Sequence, residues 1–169
     1  AVVPQADCEA LLRWLREDGA IPWEQAVEGR RVAQWGVRYD YAQQAVDLTP
    51  VAPAPEMLRR LLPGVGQEFT QCIINDYSAG DGIPWHTDSL QFGPEVLVFC
   101  LGECRPLQLR RAGSQGEDMQ HAEERSVVSV DIPHGGSYRL TGAARYDWEH
   151  CVPPGSGRRI SVTFRNLAT

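Results

Sequence analysis

Arg159-Ile160-Ser161-Val162-Thr163-Phe164-Arg165 alternates with a period of two, which makes it a strand rather than a helix. Ile160, Val162 and Phe164 share one face; Arg159, Ser161, Thr163 and Arg165 share the other. The apolar face is expected to pack on another layer. Two arginines opposite it need solvent or an anion, because a buried charge requires a partner. The run is therefore either an exposed edge strand or one wall of an anion site, and a dicarboxylate would suit the fork geometry of Arg.

Working back from this strand, further short β-prone runs cover 69–77, 96–101, 106–111, 126–132, 137–140 and 148–152, divided by Gly, Pro and Ser clusters. Many short strands at such spacing predict a β-sandwich or barrel of the jelly-roll kind. Residues 113–124 are polar and read as a surface loop. Before residue 69 the pattern is different. Apolar Ala10, Leu11, Leu12, Trp14 and Leu15 predict a helix over 8–18, with Asp7 as N-cap and Gly19 as stop. A second helix is expected to open at Pro55 and run through Leu62 to a break at Pro63-Gly64. Residues 32–49 read as a hairpin or ordered excursion. The expected fold is mainly β with N-terminal helices (α+β), a double-stranded β-helix (jelly roll). It is read as one domain over 1–169, with a helical/lid part at 1–66 and a jelly-roll core at 67–169.

The 169 residues are 43% apolar and 22% charged, which excludes a disordered or low-complexity chain. No apolar run is long enough to span a bilayer, so no membrane partner is expected. Neither a basic n-region nor a long apolar h-region opens the chain, so no signal peptide is read there. The start at Ala1 points to a trimmed or excised domain and leaves room for flanking domains outside these residues. The five cysteines have irregular spacing and no C-x-x-C pair, which points to buried thiols in a reducing, intracellular compartment. A monomer is expected. The net charge of -6 argues against gripping duplex nucleic acid through overall charge, while Arg30-Arg31, Arg59-Arg60, Arg110-Arg111 and Arg158-Arg159 leave room for local basic patches. All sixteen cationic residues are Arg, which we assign to coding composition rather than to recognition.

His86-Thr87-Asp88 is an H-x-D pair. On an extended strand its side chains point the same way, so imidazole and carboxylate can converge on one ion. A third ligand from a later strand would complete a facial triad and leave three positions of an octahedral Fe(II) open. Alone, such a pair is more often a surface or hydrogen-bonded structural feature than a metal site. Its context narrows the reading. Upstream lies Asn75-Asp76-Tyr77 with a Gly80-Asp81-Gly82 turn, and downstream lie His150 and the Arg159–Arg165 strand.

N-x-Y, a Gly turn, H-x-D, a distant His and R-x5-R, in this order, resemble the AlkB family of Fe(II)- and 2-oxoglutarate-dependent dioxygenases. The likeness runs from about Arg30 to the end of the chain. It implies the jelly-roll fold and an oxygenase that consumes 2-oxoglutarate and O2. Residue by residue it implies iron ligation by His86, Asp88 and His150, and Arg159 on the distal carboxylate of 2-oxoglutarate. Asn75, Tyr77, Ser161 and Arg165 would line the cosubstrate pocket. Arg30-Arg31-Val32, Gly36, Tyr39-Asp40-Tyr41 and Ile83-Pro84 resemble the tRNA wobble-uridine hydroxylating branch. Asp88-Ser89-Leu90-Gln91-Phe92, Ala144-Arg145-Tyr146-Asp147-Trp148 and Gly157-Arg158-Arg159-Ile160-Ser161-Val162 resemble the mitochondrial branch. Leu90 stands where nucleic-acid demethylating members carry an acidic residue.

The implied substrate is a modified nucleobase in RNA or another single-stranded nucleic acid, hydroxylated or oxidatively demethylated. The same chemistry on a protein side chain or small molecule is the alternative, favoured by the acidic pI of 5.2. An inactive binding module is disfavoured because every motif position is filled. Trp35 and Tyr39 are read as substrate-facing lid aromatics that stack on a base. Core packing competes with that reading and is preferred for Tyr41. Trp85 and Trp148 are expected to be barrel walls, and His121 and His134 surface histidines. Asp76 and Asp147 are expected to face away from the site.

Overall fold

The computed structural model describes residues 3–17, 19–25, 29–49, 51–62, 69–113 and 126–169. In chain order the elements are α1 (Gln5–Glu17), β1 (Glu24–Gln25), β2 (Arg31–Gly36), β3 (Arg38–Asp40), β4 (Ala45–Asp47) and α2 (Glu56–Arg59). They continue with β5 (Gln71–Tyr77), β6 (Ile83–His86), β7 (Phe92–Gly102), β8 (Arg105–Arg111), β9 (Val128–Ile132) and β10 (Ser137–Leu140). A short helix α3 (Gly142–Tyr146), β11 (Trp148–Val152) and β12 (Arg159–Leu167) complete the chain.

The strands build two sheets and a separate hairpin. The larger sheet has the order β1-β2-β5-β12-β7-β10 and the smaller β6-β11-β8-β9, while β3 pairs only with β4. Every ladder is antiparallel, and β12 lies at the centre of the larger sheet, in register with β5 (Ser161 opposite Asn75) and β7 (Ser161 opposite Cys100). This excludes the edge-strand reading of residues 159–165. Two flanking strands leave its arginines no solvent edge, so they belong to the interior.

Period two then sorts the larger sheet into two faces. One face carries Ala33, Trp35, Cys72, Ile74, Leu97, Phe99, Leu101, Ile160, Val162 and Phe164, packed under Cys8, Leu11 and Leu15 of α1 and Leu58 and Leu61 at α2. The opposite face turns toward the smaller sheet, where Val96, Val98, Cys100 and Leu140 meet Leu107, Ile132 and Val152. Polar residues of β5 and β12 share that inner face with the apolar ones. The first 66 residues thus add strands β1 and β2 to the core sheet as well as helices.

Several expectations shift. Helix α1 begins three residues before the expected start, so Asp7 sits in its first turn, where a carboxylate favours the helix dipole, rather than at the cap. Helix α2 has Pro55 at its N-cap and only one turn of α-helix; the chain continues to Leu62 in turns. The break expected at Pro63-Gly64, His121 and nearly all of the 113–124 loop lie outside the described residues. Trp35 is not a lid residue. With Gln34 pointing inward, Trp35 must point outward, where it is buried against Trp14, with ring centroids 6.5 Å apart.

Candidate active site

Pairing of β6 with β11 sets His86 directly opposite His150, and their ring centroids lie 4.3 Å apart. Strand β6 ends at His86, and Asp88 follows at the start of a turn. The ligand atoms of His86, Asp88 and His150 all lie within 4.8 Å of one another. The H-x-D geometry therefore comes from a strand end plus a turn rather than from two positions within one strand.

Arg145 explains why the turn holds its shape. Its side chain is 2% exposed and, among the described residues, donates to four main-chain carbonyls: Asp88 O at 3.0 Å, Ser89 O at 2.7 Å, Phe92 O at 3.1 Å and Gly93 O at 3.3 Å. One planar guanidinium thus cages the segment that presents the carboxylate. The carboxylate itself accepts from Arg165 Nη1 at 3.2 Å. Burial would raise the pKa of Asp88, but Arg165, His150, His86 and Arg145 act against it and leave it below the usual range, so the carboxylate is ionised. Burial pushes His150 down to about 4, with His86 adding to the effect, so the imidazole is neutral at pH 7 and able to ligate. His86 Nδ1 lies 2.8 Å from the Pro84 carbonyl, which assigns the proton there and leaves Nε2 as the ligand atom. His150 Nδ1 is buried without a hydrogen-bond partner among the described residues.

A cavity of about 710 Å³ opens on the triad and is lined by Tyr39, Tyr41, Asn75, Tyr77, Ser161 and Arg165 among others. Arg165 is tightly placed: its guanidinium carbon lies 3.6 Å from the Phe92 ring centroid, and Nε donates to Gln71 Oε1. Arg159 is 1% exposed, lies 5.2 Å from the Tyr77 ring centroid and donates from Nη2 to Cys100 Sγ at 2.9 Å. Its Nε and Nη1 are buried without a hydrogen-bond partner among the described residues. Leaving such donors unmet costs about 1–3 kcal/mol each, so Arg159 is suited to a carboxylate that takes both. The residues present fit both groups: two imidazoles and a carboxylate for a facial Fe(II) site, and an unsatisfied buried guanidinium for a 2-oxoacid's far end.

Tyr39 lines the cavity wall, edge-on to Tyr41 at 5.2 Å. Tyr41, expected in the core, lines the cavity as well while its ring packs on Val32 and Ile73. Leu90 stands at the cavity mouth, 73% exposed. Trp85 lies under Arg110, 4.4 Å from its guanidinium, and Asp76 is held by Arg31 and Arg158 away from the cavity. His134 is half-buried and accepts from Gly102 N, and Asp147 is an exposed residue at the end of α3. Sequence reasoning overlooked Arg145, Gln34 and Gln71. Gln71 does not stand out on a strand that also holds Asn75 and Asp76, whereas Gln34 carried a signal, since it interrupts the apolar run Val32-Ala33-Gln34-Trp35. The role of Arg145 had none, because its partners are carbonyls more than 50 residues upstream.

A double-stranded β-helix whose mouth holds two histidines and a carboxylate beside buried arginines defines an iron- and 2-oxoacid-using oxygenase. The family model described as the 2OG-Fe(II) oxygenase superfamily matches residues 15–165, and the chain belongs to that superfamily as an AlkB-type member. Among similar proteins, mouse tRNA (carboxymethyluridine(34)-5-O)-methyltransferase ALKBH8 is 27% identical over 152 residues, covering 85% of this chain and 21% of that protein. Arabidopsis thaliana RNA demethylase ALKBH9B is 30% identical over 156 residues, covering 83% of this chain and 30% of its own length. Human alpha-ketoglutarate-dependent dioxygenase alkB homolog 4 is 30% identical over 180 residues, with 87% and 59% covered. The chain thus spans between a fifth and three fifths of these relatives. The solved structure of OsALKBH1 superimposes with a TM-score of 0.70 at 14% identity, over 98% of this chain and 93% of that one, which is a likeness of fold.

Proposed function

We propose that this chain hydroxylates or oxidatively demethylates a modified nucleobase in RNA, using Fe(II), 2-oxoglutarate and O2. The observation that carries the reading is the single cavity in which the His86, Asp88 and His150 side chains share a wall with Tyr39 and Tyr41. The printed names of two relatives, an RNA demethylase and a tRNA-modifying enzyme, support RNA as the substrate class.

Held by these residues, iron and 2-oxoglutarate would supply the oxidation of a substrate C–H bond by O2, with 2-oxoglutarate consumed to succinate and CO2. The residues of the chain bind, orient and shield. His86, Asp88 and His150 would hold the metal, and Arg165 keeps the Asp88 carboxylate ionised and aimed. Arg159 would take the distal carboxylate, with Asn75, Tyr77 and Ser161 beside it on the inner face. Burial raises the pKa of Tyr41 against the opposing pull of Arg165 and Arg30, so its hydroxyl stays protonated and can donate to a base edge. Tyr39 and Tyr41 would flank a single-stranded or flipped base. We further propose that residues 1–169 act as one intracellular, monomeric domain; no described helix is long and apolar enough to cross a membrane.

Anaerobic titration with Fe(II) and 2-oxoglutarate tests the chemistry. A weak visible charge-transfer band that needs both components and is lost in His86→Ala supports it, and folded, metal-loaded protein without the band overturns it. The net charge of -6 favours a second reading, a protein side chain or small molecule as substrate. Substrate-dependent succinate release on modified tRNA, compared with peptides, separates the two.

A further inference from the structure

The β3–β4 hairpin that carries Tyr39 pairs with neither sheet, yet it sets Tyr39 on the cavity wall. Among the described contacts, Arg38 pairs with Glu24 of β1 at 2.7 Å, and three glutamine side chains tie the hairpin toward the cavity. On one edge Gln34 clasps both main-chain groups of Tyr39: Oε1 accepts from Tyr39 N at 2.8 Å, and Nε2 donates to Tyr39 O at 3.0 Å. On the other edge Gln91 Oε1 accepts from Val46 N at 2.8 Å. Tyr39 and Val46 face each other across the hairpin, so the two clasps cap its two outer edges at one rung.

Gln71 joins this clamp to the metal site. Its Nε2 donates to Gln34 Oε1 at 3.2 Å and to Val37 O at 3.0 Å, while its Oε1 accepts from Arg165 Nε at 2.5 Å. Arg165 in turn donates to Asp88 Oδ1. Gln34 is 3% and Gln71 1% exposed, so neither amide can exchange its partners for water. The orientation of both amides is fixed by their neighbours: Gln71 Oε1 meets a guanidinium, and its nitrogen meets two oxygens. On the far side Gln91 belongs to the turn caged by Arg145, immediately after Asp88. Both edges of the hairpin are therefore tied to the metal-ligand segment, one through Gln34–Gln71–Arg165 and one through Gln91.

We propose that Gln34 and Gln71 are positioning residues that clamp the β3–β4 hairpin to the Arg165–Asp88 pair, so that loading of the metal and 2-oxoglutarate tightens the substrate-facing edge of the cavity. The substrate-facing role rests on the function proposed above; the clamp itself rests on the hydrogen bonds alone. Gln71→Glu is the discriminating variant. It keeps the acceptor for Arg165 but turns an oxygen against Val37 O and Gln34 Oε1, cutting only the hairpin arm.

Hydrogen–deuterium exchange over residues 37–47 measures the clamp. In the metal-free protein, Gln71→Glu and Gln34→Glu should each exchange at least tenfold faster there, with β5, β7 and β12 unchanged. Unchanged exchange in both variants overturns the clamp. If Gln71→Glu fails to fold, Gln34→Glu decides, since among the described residues its amide bonds to Tyr39 and Gln71 alone. Under anaerobic Fe(II) and 2-oxoglutarate, wild-type exchange in 37–47 should slow, while Gln71→Glu forms the same visible band without that slowing. A wild-type hairpin indifferent to loading, or a Gln71→Glu hairpin that still responds, overturns the coupling. Absence of the band in wild type instead sinks the proposed chemistry and leaves the metal-free comparison to judge the clamp.

Discussion

Arg159 and Arg165 lie six residues apart on one face of β12 and serve opposite needs. Arg165 is satisfied inside the protein, by Asp88 and Gln71 and the face of Phe92. Arg159 keeps two buried donors unmet among the described residues. Their substitutions should fail differently. Arg159→Leu removes an unsatisfied cation from an apolar wall, so thermal stability should hold or rise while KM for 2-oxoglutarate increases by tenfold or more, read in a succinate assay. Arg165→Leu strips Asp88 of its charge partner and should lower stability by about 3–5 kcal/mol, measured by urea unfolding of the metal-free protein. Equal stability losses in both would contradict this division.

The metal ligands depend on an element that sequence patterning does not display, the 88–93 turn wrapped around Arg145. Arg145→Met keeps volume and loses every carbonyl contact. Iron affinity should drop at least tenfold in an Fe(II) titration, because the carboxylate is no longer held in line with the histidines. The fold should survive, since α1 and the face of the larger sheet beneath it make no use of Arg145. Where elements bury apolar faces, the change is instead one of stability. Leu58, fully buried between α2 and the larger sheet, should cost about 2–5 kcal/mol as Leu58→Ala and leave iron affinity in place.

The whole molecule should be acid-labile in its metal-free form. Asp76 lies below its unfolded pKa: burial would raise it, but hydrogen bonds from Arg158 and Arg31 prevail. Glu103 is held at about 2 by Arg105 and then Ser156. His150 is pushed from 6.5 to about 4 by burial. In each case the folded chain binds fewer protons than the unfolded one, so stability is fully present above about 6.5 and falls as pH drops. The loss starts with His150 between 6.5 and 4 and continues with the carboxylates below about 4.5. Urea midpoints from pH 8 to 3 should trace this fall, and Glu103→Gln should flatten only its lowest part. Bound Fe(II) at a hundred times its Kd should add about 2.7 kcal/mol, which a chelator would remove, visible as a lower Tm.

The sequence by itself determined most of the strands from residue 69 onward and the jelly-roll class, because these rest on alternation and turn spacing along the chain, although β6 carries no such pattern; the H-x-D…H set and the roles of the two arginines follow from the family resemblance of the motif order. Strands 137–140 and 148–152 even fall on their observed bounds. Only the tertiary structure decided which face of β12 looks inward, since burial on both sides depends on β5 and β7, which are distant in sequence. The same cause sent Trp35 to the helix-covered face and Tyr41 to the cavity, for period two gives two faces but not their environments. Arg145, Gln34, Gln71 and Gln91 were legible as residues but not as roles, because their partners are main-chain atoms and amides brought near by folding. Local pattern fixes the elements; long-range hydrogen bonding, which pattern does not encode, fixes how they hold the metal ligands and the hairpin.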